Sequence, residues 1–287
     1  MGSGLLRFFG LTFALSWSII AAGEAISRVV PWSAPALAGL RGVLLFAGTI
    51  TPSLVALWLT ARAEGSAGTE ALFRRIFQWR VNARWYLFAV GYMIAIKLAV
   101  ALVHRVATGA WPRFGQEAWY LILLAIAFST WVQAGEEIGW RGYALPRLAE
   151  RLGLARAGLL LGVVWAVWHL PGFFIPGNAN TGQSFPVFLL QVTALSIALA
   201  WLYWRTGGSL LLAMLMHAAV NNSSGIVPSV EPGATTPLSL SGSPVAWLTV
   251  ALLWIGAGYF LIRMRGATLG HHTPTASTAR IEPASPA

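Results

Sequence analysis

Residues 118–140 read AWYLILLAIAFSTWVQAGEEIGW. The run carries no charge until it reaches two adjacent acids, Glu136 and Glu137. A helix needs about 20 apolar residues to cross a bilayer, so the stretch reads as a membrane span that ends in carboxylates. Working outward, similar apolar runs cover Leu5–Ala22, Gly42–Ala61, Trp85–His104, Ala157–Leu170, Pro186–Trp204, Ser209–Val227 and Val245–Ile262. The expectation is an all-α, polytopic membrane bundle of about eight transmembrane helices. Residues 1–265 then form a single membrane-embedded domain, and residues 266–287, polar and rich in Pro, Ser and Thr, form a disordered tail.

Composition agrees. Of the 287 residues, 57% are hydrophobic and 10% charged, against about 25% charged in soluble domains. The 15 Trp suit interfacial belts. The N-terminal run resembles a signal peptide, but so many apolar runs follow that a retained first helix is expected. There is no Cys, which excludes disulfides, thiolate metal sites and a cysteine nucleophile. The acids are all Glu, so a diaspartyl site is excluded. The net charge of +10 comes almost wholly from Arg in short loops. That placement suits the lipid bilayer rather than a nucleic-acid partner.

Arg counting sets the orientation. Arg62, Arg74, Arg75, Arg80 and Arg84 lie between the second and third runs, and Arg141, Arg147, Arg151 and Arg156 follow the fourth. The loops after the fifth and seventh runs carry no basic residue. Both termini are therefore expected in the cytoplasm, with the chain in the cell inner membrane. Residues 71–81 set Leu72, Phe73, Ile76 and Phe77 against Arg74, Arg75 and Arg80, a pattern that suits a helix lying on the cytoplasmic leaflet.

Ionisable groups inside membrane helices are costly and face a cavity or a partner. Here they are Glu136, Glu137 and Arg141 near the end of run four, His169 at the end of run five, His217 with Asn221 in run seven, and Lys97 with His104 in run three. Neighbouring helical positions point about 100° apart, so Glu136 and Glu137 face different ways. Glu137 and Arg141, four apart, form a supporting ion pair. Glu136 is left to face a cavity. His217 and Asn221 are also four apart and share a face. A carboxylate with two imidazoles can hold a zinc-bound water through Glu136, His169 and His217. Alternatively, Glu136 and His169 can activate water directly. Asn221 is suited to polarising a carbonyl or stabilising an oxyanion. His104, Lys97, His271 and His272 receive no role. No His-Glu-x-x-His helix exists, and Ser209 after Gly207-Gly208 has no companion motif for a serine dyad.

Three segments carry a resemblance. Glu136-Glu137-Ile138-Gly139-Trp140-Arg141 resembles the Glu-Glu-x-x-x-Arg signature of the CAAX protease and bacteriocin-processing (Abi) family of membrane proteases. Trp165 to His169 occupies the family's Phe-x-x-x-His motif, with Trp in place of Phe. His217 to Asn221 matches its His-x-x-x-Asn motif. The likeness covers about residues 118–222. It implies an intramembrane endopeptidase acting on a peptide or protein terminus, with Glu136, His169, His217 and Asn221 as catalytic groups. Whether a zinc takes part is left open by the resemblance. The alternative class is a non-catalytic immunity or binding scaffold, or a small transporter.

One expectation is geometric. Run four ends near Glu136, whereas His169 lies roughly 18 Å from the same side. Joint action on one water requires their side chains to lie within about 10 Å.

Overall fold

The computed structural model describes residues 2–29, 34–175, 178–228, 236–240 and 242–269. The structure is helical, with no strand among the described residues. The helices are α1 (Ser3–Val29), α2 (Ala34–Ile76), α3 (Ala83–Thr108), α4 (Trp119–Leu152), α5 (Leu154–Trp168), α6 (Phe185–Arg205), α7 (Leu210–Asn222) and α8 (Pro244–Arg263). All but α7 meet the length and hydropathy needed to cross a membrane, α5 together with its 3-10 extension Leu170–Phe174. Large apolar side chains such as Leu87, Val106, Phe128 and Ile255 point outward and are mostly exposed. Apolar surface on this scale belongs against lipid, not water. The chain is a multi-pass membrane protein.

The seventh expected span is shorter than its apolar run. Helix α7 has 13 residues, about 20 Å, and passes into a 3-10 turn at Ser223–Gly225. It is enclosed by protein: Leu210, Leu212, Ala213, Met214, Met216 and Ala218 are fully buried. Serine caps begin three helices. The hydroxyls of Ser184, Ser209 and Ser243 accept from the backbone N–H groups of Val187, Leu212 and Ala246, satisfying donors that a helix start leaves orphaned.

Helix α2 carries the amphipathic stretch expected on the leaflet. It is interrupted at Gly65 (φ 66°) and resumes to Ile76. Leu72 and Ile76 are buried, while Phe73 and Phe77 stay exposed. The helix stops short of Val81, and Gln78 instead donates to the Thr206 carbonyl at 2.9 Å, tying this segment to the α6–α7 turn.

Helix α4 is the main correction to the sequence reading. It does not end near Trp140 but continues to Leu152, because the polar residues past Glu137 find partners inside the protein. Over Ile138–Ala144 it widens into a π-helix, where the Leu145 N–H donates to the Trp140 carbonyl five residues back. Such segments concentrate at functional sites. All seven residues of the widened turn are buried. Its Gly139 touches the backbone of α2, since a Cβ there would lie 2.6 Å from the Pro52 carbonyl carbon. Helices α5 and α6 also approach closely. A Cβ on Gly162 would lie 2.7 Å from Thr193 Cα, the small-residue packing typical of membrane helices.

The tail assigned to residues 266–287 falls largely outside the described residues, as do His271 and His272; residues 266–269 form a turn and irregular chain.

Candidate active site

Helices α4 and α5 form a hairpin around Gly153, whose left-handed φ of 75° suits a residue without a side chain. Glu136 lies 17 residues before Gly153 and His169 lies 16 after it. At about 1.5 Å per residue, the two arms are nearly equal, and the pair stands at one depth. The expected offset disappears because α4 runs on past Glu136. Helix α5 ends at Trp168, just before Leu170-Pro171, so His169 caps it.

Trp165 joins the two residues. Its indole Nε1–H donates to Glu136 Oε2 at 2.7 Å. Its backbone carbonyl lies 2.8 Å from His169 Nδ1. A carbonyl only accepts, so Nδ1 carries the proton, and in the neutral ring Nε2 is the basic nitrogen. The ring of Trp165 stands edge-on to both imidazoles, with centroids 5.7 Å from His169 and 5.1 Å from His217.

Behind this layer lies a buried ion cluster. Arg141 Nη1 donates to Glu137 Oε1 at 2.7 Å, and both side chains are fully buried. His217 Nδ1, on α7, reaches the same oxygen at 2.8 Å. Arg141 also places its guanidinium 4.2 Å from the centre of the Trp165 ring. Burial of an ion pair is sustained only when hydrogen bonds and counter-charges accompany it. The imidazole and the π-face extend the pair that the i,i+4 spacing suggests. With Nδ1 committed to Glu137, His217 keeps its Nε2 edge for the space in front.

That space is a cavity of about 720 Å³, within the range of ligand-binding pockets. Glu136, His169, His217 and Asn221 all line it. They come from α4, the end of α5, and α7. Asn221 is exposed to the cavity, while its neighbour Asn222 is held by Ser129 Oγ at 3.0 Å and the Ala218 carbonyl at 2.8 Å. Lys97, to which sequence reasoning gave no role, is buried in the same wall, as is Gln133. A mid-helix lysine reads equally as a snorkelling residue, so its sequence position carries no signal for the cavity. His104 stays apart, with Nδ1 3.0 Å from the Ala110 carbonyl near the end of α3.

The zinc option requires Glu136, His169 and His217 to converge. Among the described residues no group of three His, Cys, Asp or Glu side chains is placed to hold a metal ion. One Glu136 oxygen already accepts the Trp165 indole.

Comparison with known proteins frames this region. Residues 116–223 match the family described as type II CAAX prenyl endopeptidase Rce1-like. A curated relative, CAAX prenyl protease 2 of Methanococcus maripaludis, is 23% identical over 236 residues, spanning 75% of this chain and 81% of the relative. The matched segment encloses all three motifs and the hairpin that pairs Glu136 with His169.

Proposed function

We propose that this chain, which belongs to the type II CAAX prenyl endopeptidase Rce1-like family, hydrolyses peptide bonds of peptide or membrane-associated protein substrates inside the cavity. The observation that carries this reading is the convergence of Glu136, His169, His217 and Asn221, from three helices, on one cavity within a membrane protein. Glu136 and the Nε2 of His169 hold a water between them. Glu136 takes its proton as the oxygen attacks the scissile carbonyl, then returns a proton to the leaving amine. The Asn221 carboxamide donates to the developing oxyanion, and His217 does so from Nε2 when its ring carries both protons. Glu137 supports that cationic ring through Nδ1, much as a carboxylate orients a catalytic imidazole.

The substrate end enters as an extended segment. The name of the Methanococcus relative points to proteins processed near a prenylated end, and the cavity, bordered by Asn178, Asn180 and Gln183 between α5 and α6, would receive such a terminus or an unmodified one. Purified protein and a peptide library test the reading. Wild type should cleave, and Glu136→Gln should abolish cleavage while remaining folded in the membrane. Full activity in Glu136→Gln would remove Glu136 from the mechanism.

A further inference from the structure

Trp165 stands where the resembling family carries Phe, and the difference is a hydrogen-bond donor. A buried indole N–H usually finds an acceptor, so the bond to Glu136 could be mere satisfaction. This fold does not enforce that rule, however. The indole nitrogens of Trp140 and Trp201 are buried and meet no acceptor among the described residues. The Trp165 N–H, by contrast, meets the cavity-lining carboxylate at 2.7 Å. Its ring is also locked in place, edge-on to His169 and His217 and face-on to the Arg141 guanidinium.

From this geometry we infer that Trp165 is a positioning residue that orients both members of the water-activating pair. The inference rests on the roles proposed for Glu136 and His169. The terminal torsion of a glutamate is soft and roughly two-fold. Holding Oε2 on the indole fixes that torsion and leaves Oε1 as the oxygen that takes the proton. The backbone carbonyl of the same residue holds Nδ1–H of His169, which turns Nε2 to the water. One residue thereby aligns the carboxylate through its side chain and the imidazole through its main chain. Phe at this position would keep the ring packing and the carbonyl but lose the contact to Glu136. Misplacing a catalytic group by about 1 Å costs on the order of a hundredfold in rate.

The test uses the full chain in detergent and a peptide that wild type cleaves. Trp165→Phe should lower kcat roughly 10- to 100-fold, the range for losing a hydrogen bond to a charged group. KM should stay within about twofold, and the unfolding temperature should not move. Replacing Trp165 by 3-benzothienylalanine, which keeps the bicyclic shape and lacks only the N–H, should reproduce the loss; it decides the matter if the Phe variant does not fold. Wild-type kcat in the benzothienyl protein would overturn the inference, as would a defect confined to KM. An activity-independent readout separates this inference from the proposed function. In ultraviolet resonance Raman spectra, the Trp165 component (wild type minus Trp165→Phe) should report a strong indole hydrogen bond that weakens in Glu136→Ala. A protein that cleaves no peptide but shows this change defeats the catalytic reading and keeps the positioning. An unchanged band defeats the positioning itself.

Discussion

His217 Nδ1 lies 2.8 Å from Glu137 Oε1, a bond across 80 residues of chain that joins α7 to the middle of α4. It converts a local ion pair into a three-residue cluster and sets which edge of the imidazole meets the cavity. The cluster has a stability consequence, because breaking a buried pair strands a charge.

Arg141→Met should destabilise the protein by about 3–5 kcal/mol, since Glu137 would keep a fully buried carboxylate that has lost its guanidinium and retains only the contact to His217. The double variant Glu137→Leu/Arg141→Met should recover much of that stability, because both charges leave together. It should not recover turnover, because His217 loses its acceptor. Thermal unfolding in detergent and peptide cleavage, measured on the same samples, check both halves. A double variant as active as wild type would refute the orienting role of Glu137.

Chelation offers a second check. The donor atoms of Glu136, His169 and His217 are not grouped as a metal ion requires. Cleavage by protein treated with a strong chelator should therefore persist within about twofold. Loss of activity on chelation and its return with zinc would show that the groups rearrange around a metal.

Gly139→Ala should harm both stability and activity. The added methyl would lie 2.6 Å from the Pro52 carbonyl carbon, and overpacking of this kind costs about 1–3 kcal/mol. Relief requires α4 to move at the widened turn that follows Glu136 and Glu137. Gly10→Ala is the control, because nothing lies within 4 Å of a Cβ there. Equal behaviour of the two variants would rule out tight packing at Gly139.

The orientation can be read with single cysteines, since the natural chain contains none. Glu150→Cys, exposed near the end of α4, should react with an impermeant thiol reagent only from the cytoplasmic side. Thr181→Cys, exposed between α5 and α6, should react from the opposite side. Labelling of both from one side would overturn the Arg-based topology.

How much was legible beforehand follows from the range of each interaction. Apolar run length marked eight helices, and α7 departs from a full span because protein rather than lipid surrounds it, a distinction that hydropathy does not make. The i,i+4 spacings of Glu137 with Arg141, Trp165 with His169, and His217 with Asn221 were open to reading, because helical geometry makes such residues neighbours. The end of α4 was not. Arg141, Arg147 and Glu150 look like a loop in sequence, but Arg141 is neutralised by Glu137, which His217 also contacts, and Arg147 pairs with Glu64 of α2. The helix therefore continues.

By itself, then, the sequence determined an all-helical membrane protein and the residues that share each helix face, since both depend on local period and on apolar length. Only the tertiary structure decided that Glu136 and His169 stand at one depth, that Trp165 donates to Glu136, and that His217 closes on Glu137. Those relations are set by where helices end and how closely glycines let them approach. Both are fixed by partners tens of residues away, whose compensation of a buried charge no local pattern records.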